Sequence, residues 1–161
     1  MLIRSDLFFA LGQFSTEIVS HGEDLDICWR AHLAQAQVAV AVQAVAKILP
    51  QPASAAEDRM RMRHQIFSLL TCTGAVASLI VVPVAMAVHL VESLVAVIFG
   101  RSRLMFNIVG AWTWSLARPW KIWKRRKEIA TYRMVSDEKI RKLQDGSFAG
   151  LKQFMRAHQC K

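Results

Sequence analysis

The longest apolar block of the chain runs from Ile66 to Phe99, and few folds can accept it. Its interruptions are Pro83, His89, Glu92 and a few small polar residues. A helix that crosses a bilayer needs about 20 apolar residues, so the block is too long for one span and short for two. A block of this length favours contact with lipid, and the alternative is a helical hairpin buried inside a soluble bundle.

Basic residues flank the block on both sides and indicate how it is placed. Because positively charged residues are retained in the cytoplasm, both ends are expected on the same face of the membrane. This favours a hairpin or re-entrant pair bent near Pro83, or an interfacial helix beside a tilted one, over a single pass. Glu92 is expected to face a partner helix, water or a basic side chain, because a carboxylate in lipid is costly. The flanking residues are Arg59, Arg61 and Arg63 before the block and Arg101, Arg103 and Arg118 after it.

Charge divides the chain into an acidic head and a basic remainder. Up to Asp58 the sequence has three basic and seven acidic residues, whereas the remainder has 18 basic and five acidic residues. The whole chain combines 53% apolar residues with a net charge of +9, which suits a membrane-associated protein better than a purely soluble one. An acidic head and a basic tail point to two separate tasks.

The segment after Gly100 interleaves tryptophan with basic residues. Indoles are favoured at the depth of the lipid headgroups, and cations there are attracted to anionic lipid. The pattern therefore predicts an interfacial amphipathic helix on the inner leaflet. Basic and aromatic residues also bind nucleic acid, but the preceding apolar block favours the membrane, and no nucleic-acid partner is expected. The residues are Trp112, Trp114, Trp120 and Trp123 with Arg118, Lys121, Lys124, Arg125, Arg126 and Lys127.

Cysteine and histidine spacing gives no sign of a metal site or a disulfide framework. Cys28, Cys72 and Cys160 are scattered, which favours a reducing compartment. The five histidines show no ligand spacing, and His89 is expected to be a packed or interfacial residue. The opening residues lack a basic region followed by an apolar core, so no signal peptide is predicted.

Three carboxylates, those of Glu23, Asp24 and Asp26, lie within four positions of the acidic head. A helix that begins at Glu23 places Glu23, Asp26 and Arg30 on adjoining turns of one face. Mutual repulsion in such a cluster raises the pKa of its acids, which suits a group that takes up a proton near neutral pH. The alternative is a solvated helix start, where acids are favoured by the helix dipole.

The head resembles the acceptor-side segment of family 2 glycosyltransferases, which have the GT-A fold. In that family a strand close to M-L-V-R leads to a helix, an L-G-G-F-D turn and an E-D-x-D-L-x-x-R helix. This chain has residues 1–4 (MLIR), residues 11–14 (LGQF) and residues 23–30 (EDLDICWR) in the same order and at matching gaps. Residues 31–34 and 38–42 are similar to the helix end and strand that follow. The basic, tryptophan-rich remainder is similar to the membrane-associated tails of some actinobacterial members.

The resemblance implies a role for each residue of the acidic helix. Asp24 corresponds to the base that deprotonates the acceptor hydroxyl, Glu23 and Asp26 to residues that orient the acceptor or the base, and Arg30 to their cationic partner. The family's divalent metal and nucleotide-sugar are bound by a donor half, which a chain of this length lacks room for, so no cofactor is expected in it. The chain alone is therefore expected to be inactive. Asp24 and Asp26 are not expected to be the metal-binding D-x-D, because that pair normally ends a buried strand.

Several positions depart from the family pattern. Gln13 replaces the second glycine of the turn, and Ser15 replaces its aspartate. The glycine after the acidic helix, the later proline and a histidine that reaches the donor correspond to Gln35, Val42 and Ile48. The helix is expected to continue at least to Ala36, while residues 36–49 remain open between helix and strand.

The expected fold is mainly α, with a partial GT-A-like segment of one or two short strands at most, followed by membrane-associated helices. The expected divisions are an acceptor-side remnant (1–49), a linker (50–56), a membrane-embedded hairpin or re-entrant segment (57–100) and interfacial and C-terminal helices (101–161). The expected function is transfer of a sugar from a nucleotide donor to a glycan or lipid-linked acceptor at the cytoplasmic face of the cell membrane. The alternative is a non-enzymatic membrane anchor or scaffold. Further expectations are a strand at 1–4, a helix that Ser5 caps and that runs through Leu11 to a stop at Gly12, a helix that Ser136 caps and that ends near Gly146, and a helix from Phe148 to His158.

Overall fold

The computed structural model describes residues 1–18, 20–39, 41, 43–44 and 54–143, and this part of the chain is mainly helical, as predicted. It contains seven helices and no strand within those ranges. In chain order the helices are α1 (Ser5–Ala10), α2 (Glu23–Leu33), α3 (Ala55–Cys72), α4 (Ala75–Ile98), α5 (Ser102–Leu116), α6 (Pro119–Tyr132) and α7 (Asp137–Leu143).

The turn after α1 has the geometry of a Schellman motif. The N–H of Gln13 donates to Phe8 O at 2.9 Å, and the N–H of Gly12 donates to Phe9 O at 3.0 Å. This geometry requires left-handed backbone, and φ is 77° at Gly12 and 59° at Gln13. Gly12 stops α1, as predicted, but the helix ends at Ala10 instead of Leu11, and its N-cap is Arg4 instead of Ser5. The strand predicted at residues 1–4 is wrong, because these residues pair with no strand in the described part of the chain.

Helix α2 begins at Glu23, as predicted, but it ends at Leu33. The expected continuation to Ala36 is wrong, because Gln35 adopts a φ of 60° and closes a second Schellman motif. The N–H of Ala36 donates to Ala31 O at 2.9 Å. Gln13 and Gln35, the two glutamines that end the turns after α1 and α2, therefore both have left-handed backbone.

Gln35→Gly is expected to raise the free energy of unfolding by up to about 1 kcal/mol, because it removes the steric cost of a side chain in left-handed backbone. The measurement is the midpoint of thermal unfolding of the purified protein. Gln37→Gly is the control, since Gln37 is exposed and lies outside the left-handed region. Equal destabilisation by both changes would contradict the prediction.

Helix α3 begins within the expected linker. Ser54 and Glu57 form a capping box, in which Ser54 Oγ accepts from Glu57 N at 3.2 Å and Glu57 Oε2 accepts from Ser54 N at 3.0 Å. The helix then continues to Cys72, so the first residues of the apolar block belong to α3.

The apolar block divides at Thr73–Gly74, so the bend predicted near Pro83 is wrong; α4 runs through Pro83. Side chains from α6, α7 and their connection fix the junction. Arg126 donates to Leu70 O at 2.8 Å and to Thr73 O at 2.9 Å, while Asp137 accepts from Gly74 N at 3.1 Å. Cations therefore meet the carboxyl end of α3, and a carboxylate meets the amino end of α4, as the helix dipoles favour.

The single interfacial helix predicted for Trp112 to Lys127 is wrong, because α5 ends at Leu116 and α6 begins at Pro119. Proline is well tolerated at the first position of a helix but not inside one. Helix α5 packs along α3 and α4, and α6 packs against α3. Buried Ile66, Leu70, Ile108, Ala111 and Trp112 form the central cluster.

Helix α7 begins directly after Ser136, as predicted. Its predicted end near Gly146, the predicted helix from Phe148 to His158, and the predictions for Val42 and Ile48 lie outside the described residues.

Candidate functional site

Arg30 and Asp26 form a buried ion pair that joins the acidic helix to the preceding turn. Arg30 Nη2 lies 2.6 Å and Nε 2.9 Å from Asp26 Oδ2, and both side chains are almost fully buried. The same guanidinium donates to Leu11 O at 2.6 Å and to Gln13 O at 2.9 Å. Arg30 therefore holds the left-handed turn against α2, and its four hydrogen bonds offset the cost of burying its charge.

Two further side chains surround Asp26. Arg125 Nη2 of α6 is 3.6 Å from Asp26 Oδ2, and Cys72 Sγ of α3 is 4.0 Å from Oδ1. Burial, with a smaller contribution from the Asp26 charge, raises the pKa of the Cys72 thiol to about 12. Burial also raises the pKa of Tyr132. Asp26 is thus a structural centre that joins α2, α3 and α6.

The other two carboxylates of the acidic helix lie in different surroundings. Asp24 is exposed, and its Oδ1 accepts from Leu25 N at 2.8 Å. Glu23 is half-buried, and its Oε2 accepts from Gly22 N at 3.0 Å. Of the four predicted site residues, the structure joins Asp26 and Arg30 directly, keeps Glu23 at the helix start and leaves Asp24 accessible to a ligand from solvent.

The acidic residues of this segment do not fit a metal ion. Among the described residues, no three His, Cys, Asp or Glu side chains are grouped so as to hold one. Asp26 is already paired with the guanidinium of Arg30, so Asp24 and Asp26 do not offer two available carboxylates.

An open cleft of about 470 Å³ lies between the turn after α1 and the basic helix α6. Neither Glu23 nor Asp24 lines it. Its walls carry aromatic, basic and acidic side chains together. The aromatic lining residues are Phe14, Phe67 and Trp120, and the charged ones are Glu17, Lys121, Lys124, Arg125 and Glu128.

Helix α4 presents a broad apolar face to solvent, and among the described residues it is the one helix long and apolar enough to cross a membrane. Leu79 is 76% exposed, Leu90 62% and Leu94 58%. Residues of α5 extend the same kind of surface, since Phe106, Val109 and Leu116 are also exposed. Large exposed apolar surfaces are uncommon on soluble monomers and are typical of proteins that contact a membrane or a partner.

The polar residues of α4 face inward. Trp112 Nε1 of α5 donates to His89 Nδ1 at 3.1 Å, and Ser93 is buried with its hydroxyl donating to His89 O. His89 is therefore a packed residue, as predicted. Glu92 lies one turn from His89 and is half-buried. This reverses the usual arrangement of a surface helix, in which apolar residues face the core.

Sequence reasoning missed Arg125 and Cys72 as neighbours of Asp26. They lie far from it along the chain, and no local pattern marks such pairings. It also missed the capping box, although the Ser54-Ala55-Ala56-Glu57 pattern is a recognisable signal.

Comparison of the chain with protein-family models, with curated proteins and with solved structures gave no match.

Proposed function

We propose that this chain is the acceptor-side and membrane-associated part of a family 2 glycosyltransferase, which transfers a sugar from a nucleotide-sugar to an acceptor at the cytoplasmic face of the cell membrane. The main supporting observation is that Arg30 of the acidic helix donates hydrogen bonds to Leu11 O and Gln13 O in the turn after α1. The family glycine positions 13 and 35 keep the backbone conformation that glycine favours, although both hold glutamine. Asp24, at the candidate position of the base, is exposed.

In this proposal Asp24 removes the proton from the acceptor hydroxyl. The acceptor oxygen then forms a bond to the anomeric carbon, while the bond from that carbon to the diphosphate oxygen breaks and the diphosphate leaves with the electron pair. Glu23 orients the start of α2 through Gly22 N, and Asp26 with Arg30 positions the helix. Asp26 and Arg30 are positioning residues in this account, because both are buried away from any acceptor.

The membrane placement follows from the two faces of α4. A helix of 24 residues is about 36 Å long, enough to cross a bilayer. However, its inward face packs on α5, and the arginines at the start of α5 and α3 lie near its end. A spanning α4 would carry these arginines to the opposite side of the membrane, against the retention of basic residues in the cytoplasm. We therefore place α4 along the inner membrane surface, with its apolar face in lipid and the acidic head in the cytoplasm.

The second candidate function is a non-enzymatic membrane anchor or scaffold. The apolar face of α4 favours it, because membrane attachment requires no catalytic group. The two functions differ in the effect of Asp24, which has no role in an anchor.

Asp24→Asn is expected to lower kcat about a hundredfold or more in a complete enzyme that contains this segment, because it removes the proposed base and keeps the shape. The measurement is transfer of radiolabelled sugar to the membrane fraction. Asp6→Asn is the control, since Asp6 is also an exposed helical carboxylate. A kcat for Asp24→Asn above about a tenth of the wild-type value would exclude Asp24 as the base.

A further inference from the structure

We propose that the cleft between the turn after α1 and α6 binds the phosphate group of an anionic membrane lipid. The proposal specifies which group of the membrane the protein binds. It rests on the membrane placement of α4 proposed above, but not on sugar transfer.

The ion pairs around the cleft leave specific cationic groups available. Lys121 Nζ pairs with Glu17 Oε1 at 2.7 Å, and Arg125 Nη1 pairs with Glu128 Oε2 at 3.1 Å. Both acids of the cleft wall are thereby engaged. Lys124 is exposed and has no acidic partner among the described residues.

Arg125 lies in the wall of the cleft with two buried nitrogen atoms that make no hydrogen bond in the described part of the chain. Its side chain is 11% exposed, and its Nε and Nη2 have no hydrogen-bond partner in the described part of the chain, although Nη2 is 3.6 Å from Asp26. Buried donors without an acceptor are uncommon in folded proteins. A guanidinium beside an ammonium is a good site for phosphate, because several N–H groups converge on its oxygens.

The aromatic side chains of the cleft fit a lipid better than a free ion. Phe14, Phe67 and Trp120 line the same cleft as Lys124 and Arg125. Trp120 is 69% exposed and stacks on Trp123 with ring centroids 4.9 Å apart. Indoles are favoured at headgroup depth. A lipid whose phosphate is bound by Lys124 would therefore have its acyl chains beside these aromatic side chains.

The test uses the full chain in neutral maltoside detergent and isothermal titration with three probes: dihexanoyl phosphatidic acid, inorganic phosphate and dihexanoyl phosphatidylcholine. Saturable binding of phosphatidic acid at least about tenfold tighter than of phosphatidylcholine is expected, since the monoester offers its charged oxygens to Lys124. Weaker binding of inorganic phosphate identifies the lipid as the source. Inorganic phosphate that binds as tightly as the lipid would overturn the lipid assignment.

Two variants distinguish binding in the cleft from a general effect of positive charge. Lys124→Gln is expected to weaken phosphatidic acid binding about tenfold, because it removes one charge-assisted contact. Lys127→Gln, on the same helix but outside the cleft lining, should change binding less than about twofold. Equal weakening by both variants, or absence of saturable binding, would overturn the proposal. Because the titration is done without a bilayer, a wrong membrane placement of α4 would not by itself abolish binding.

Discussion

Replacing Leu90 and Leu94 together by glutamine is expected to release the protein from lipid vesicles. Both side chains are on the exposed apolar face of α4, at 62% and 58% exposure. Burial of a leucine side chain stabilises by about 2 kcal/mol, so the double change should lower the membrane partition coefficient about a hundredfold or more. The measurement is flotation of the purified protein with vesicles of phosphatidylcholine and phosphatidylglycerol.

The matched control is the double change of Leu2 and Leu25 to glutamine. Both leucines are exposed, at 102% and 43%, but they lie in the acidic head and not on α4. The control variant should float as the wild type does, and both variants should keep the helical circular dichroism signal. A Leu90 and Leu94 variant that floats like the wild type would contradict the membrane role of this face.

Arg30→Met is expected to cost about 3–5 kcal/mol of the free energy of unfolding, because it leaves the Asp26 carboxylate buried without its main partner. It also removes the hydrogen bonds to Leu11 O and Gln13 O, so the turn after α1 loses its attachment to α2. The measurement is urea unfolding of the detergent-solubilised protein, followed by tryptophan fluorescence.

Arg4→Met is the control for the loss of an arginine. Its ion pair with Asp6 is exposed, with side-chain exposures of 81% and 64%, and such pairs contribute little. The double variant of Arg30→Met with Asp26→Leu should recover part of the loss, because it removes the unpaired charge. Similar costs for Arg4→Met and Arg30→Met would contradict the structural role of the buried pair of Arg30 and Asp26.

Local signals predicted the helix boundaries that depend on local chemistry. Glu23 begins α2 because acids are favoured in a first turn, and Gly12 ends α1 because glycine accepts left-handed backbone. Local signals did not predict that α2 ends before Gln35. Glutamine is an ordinary helix former, and only the hydrogen bonds of the turn and the packing of α2 make it left-handed.

Long-range packing decided the features that the sequence did not predict. Pro83 indicated a bend, yet it is exposed inside α4, and the chain reverses where Arg126 and Asp137 meet Thr73 and Gly74. The tryptophans looked alike in sequence but divide between two environments. Trp112 is buried, whereas Trp120 is exposed on α6. The spacing of the acidic residues also indicated that Arg30 pairs with them. It could not indicate which acid remains exposed, because that depends on packing against distant parts of the chain.

In the arrangement that we propose, α4 lies along the cytoplasmic surface of the membrane, and residues near its two ends are on the same side. Arg61 lines a cleft with Arg101 and Arg103 near the end of α4, whereas Lys124 lies on α6, whose Arg126 contacts Thr73 before the start of α4. A spanning α4 would place these two regions on opposite sides.

The most direct measurement is labelling of single cysteines at positions 61 and 124 with a membrane-impermeant maleimide, in a background that lacks Cys28, Cys72 and Cys160. We expect that neither Arg61→Cys nor Lys124→Cys is labelled in intact cells and that both are labelled after permeabilisation. Labelling of one position but not the other in intact cells would show that α4 crosses the membrane and would contradict the account.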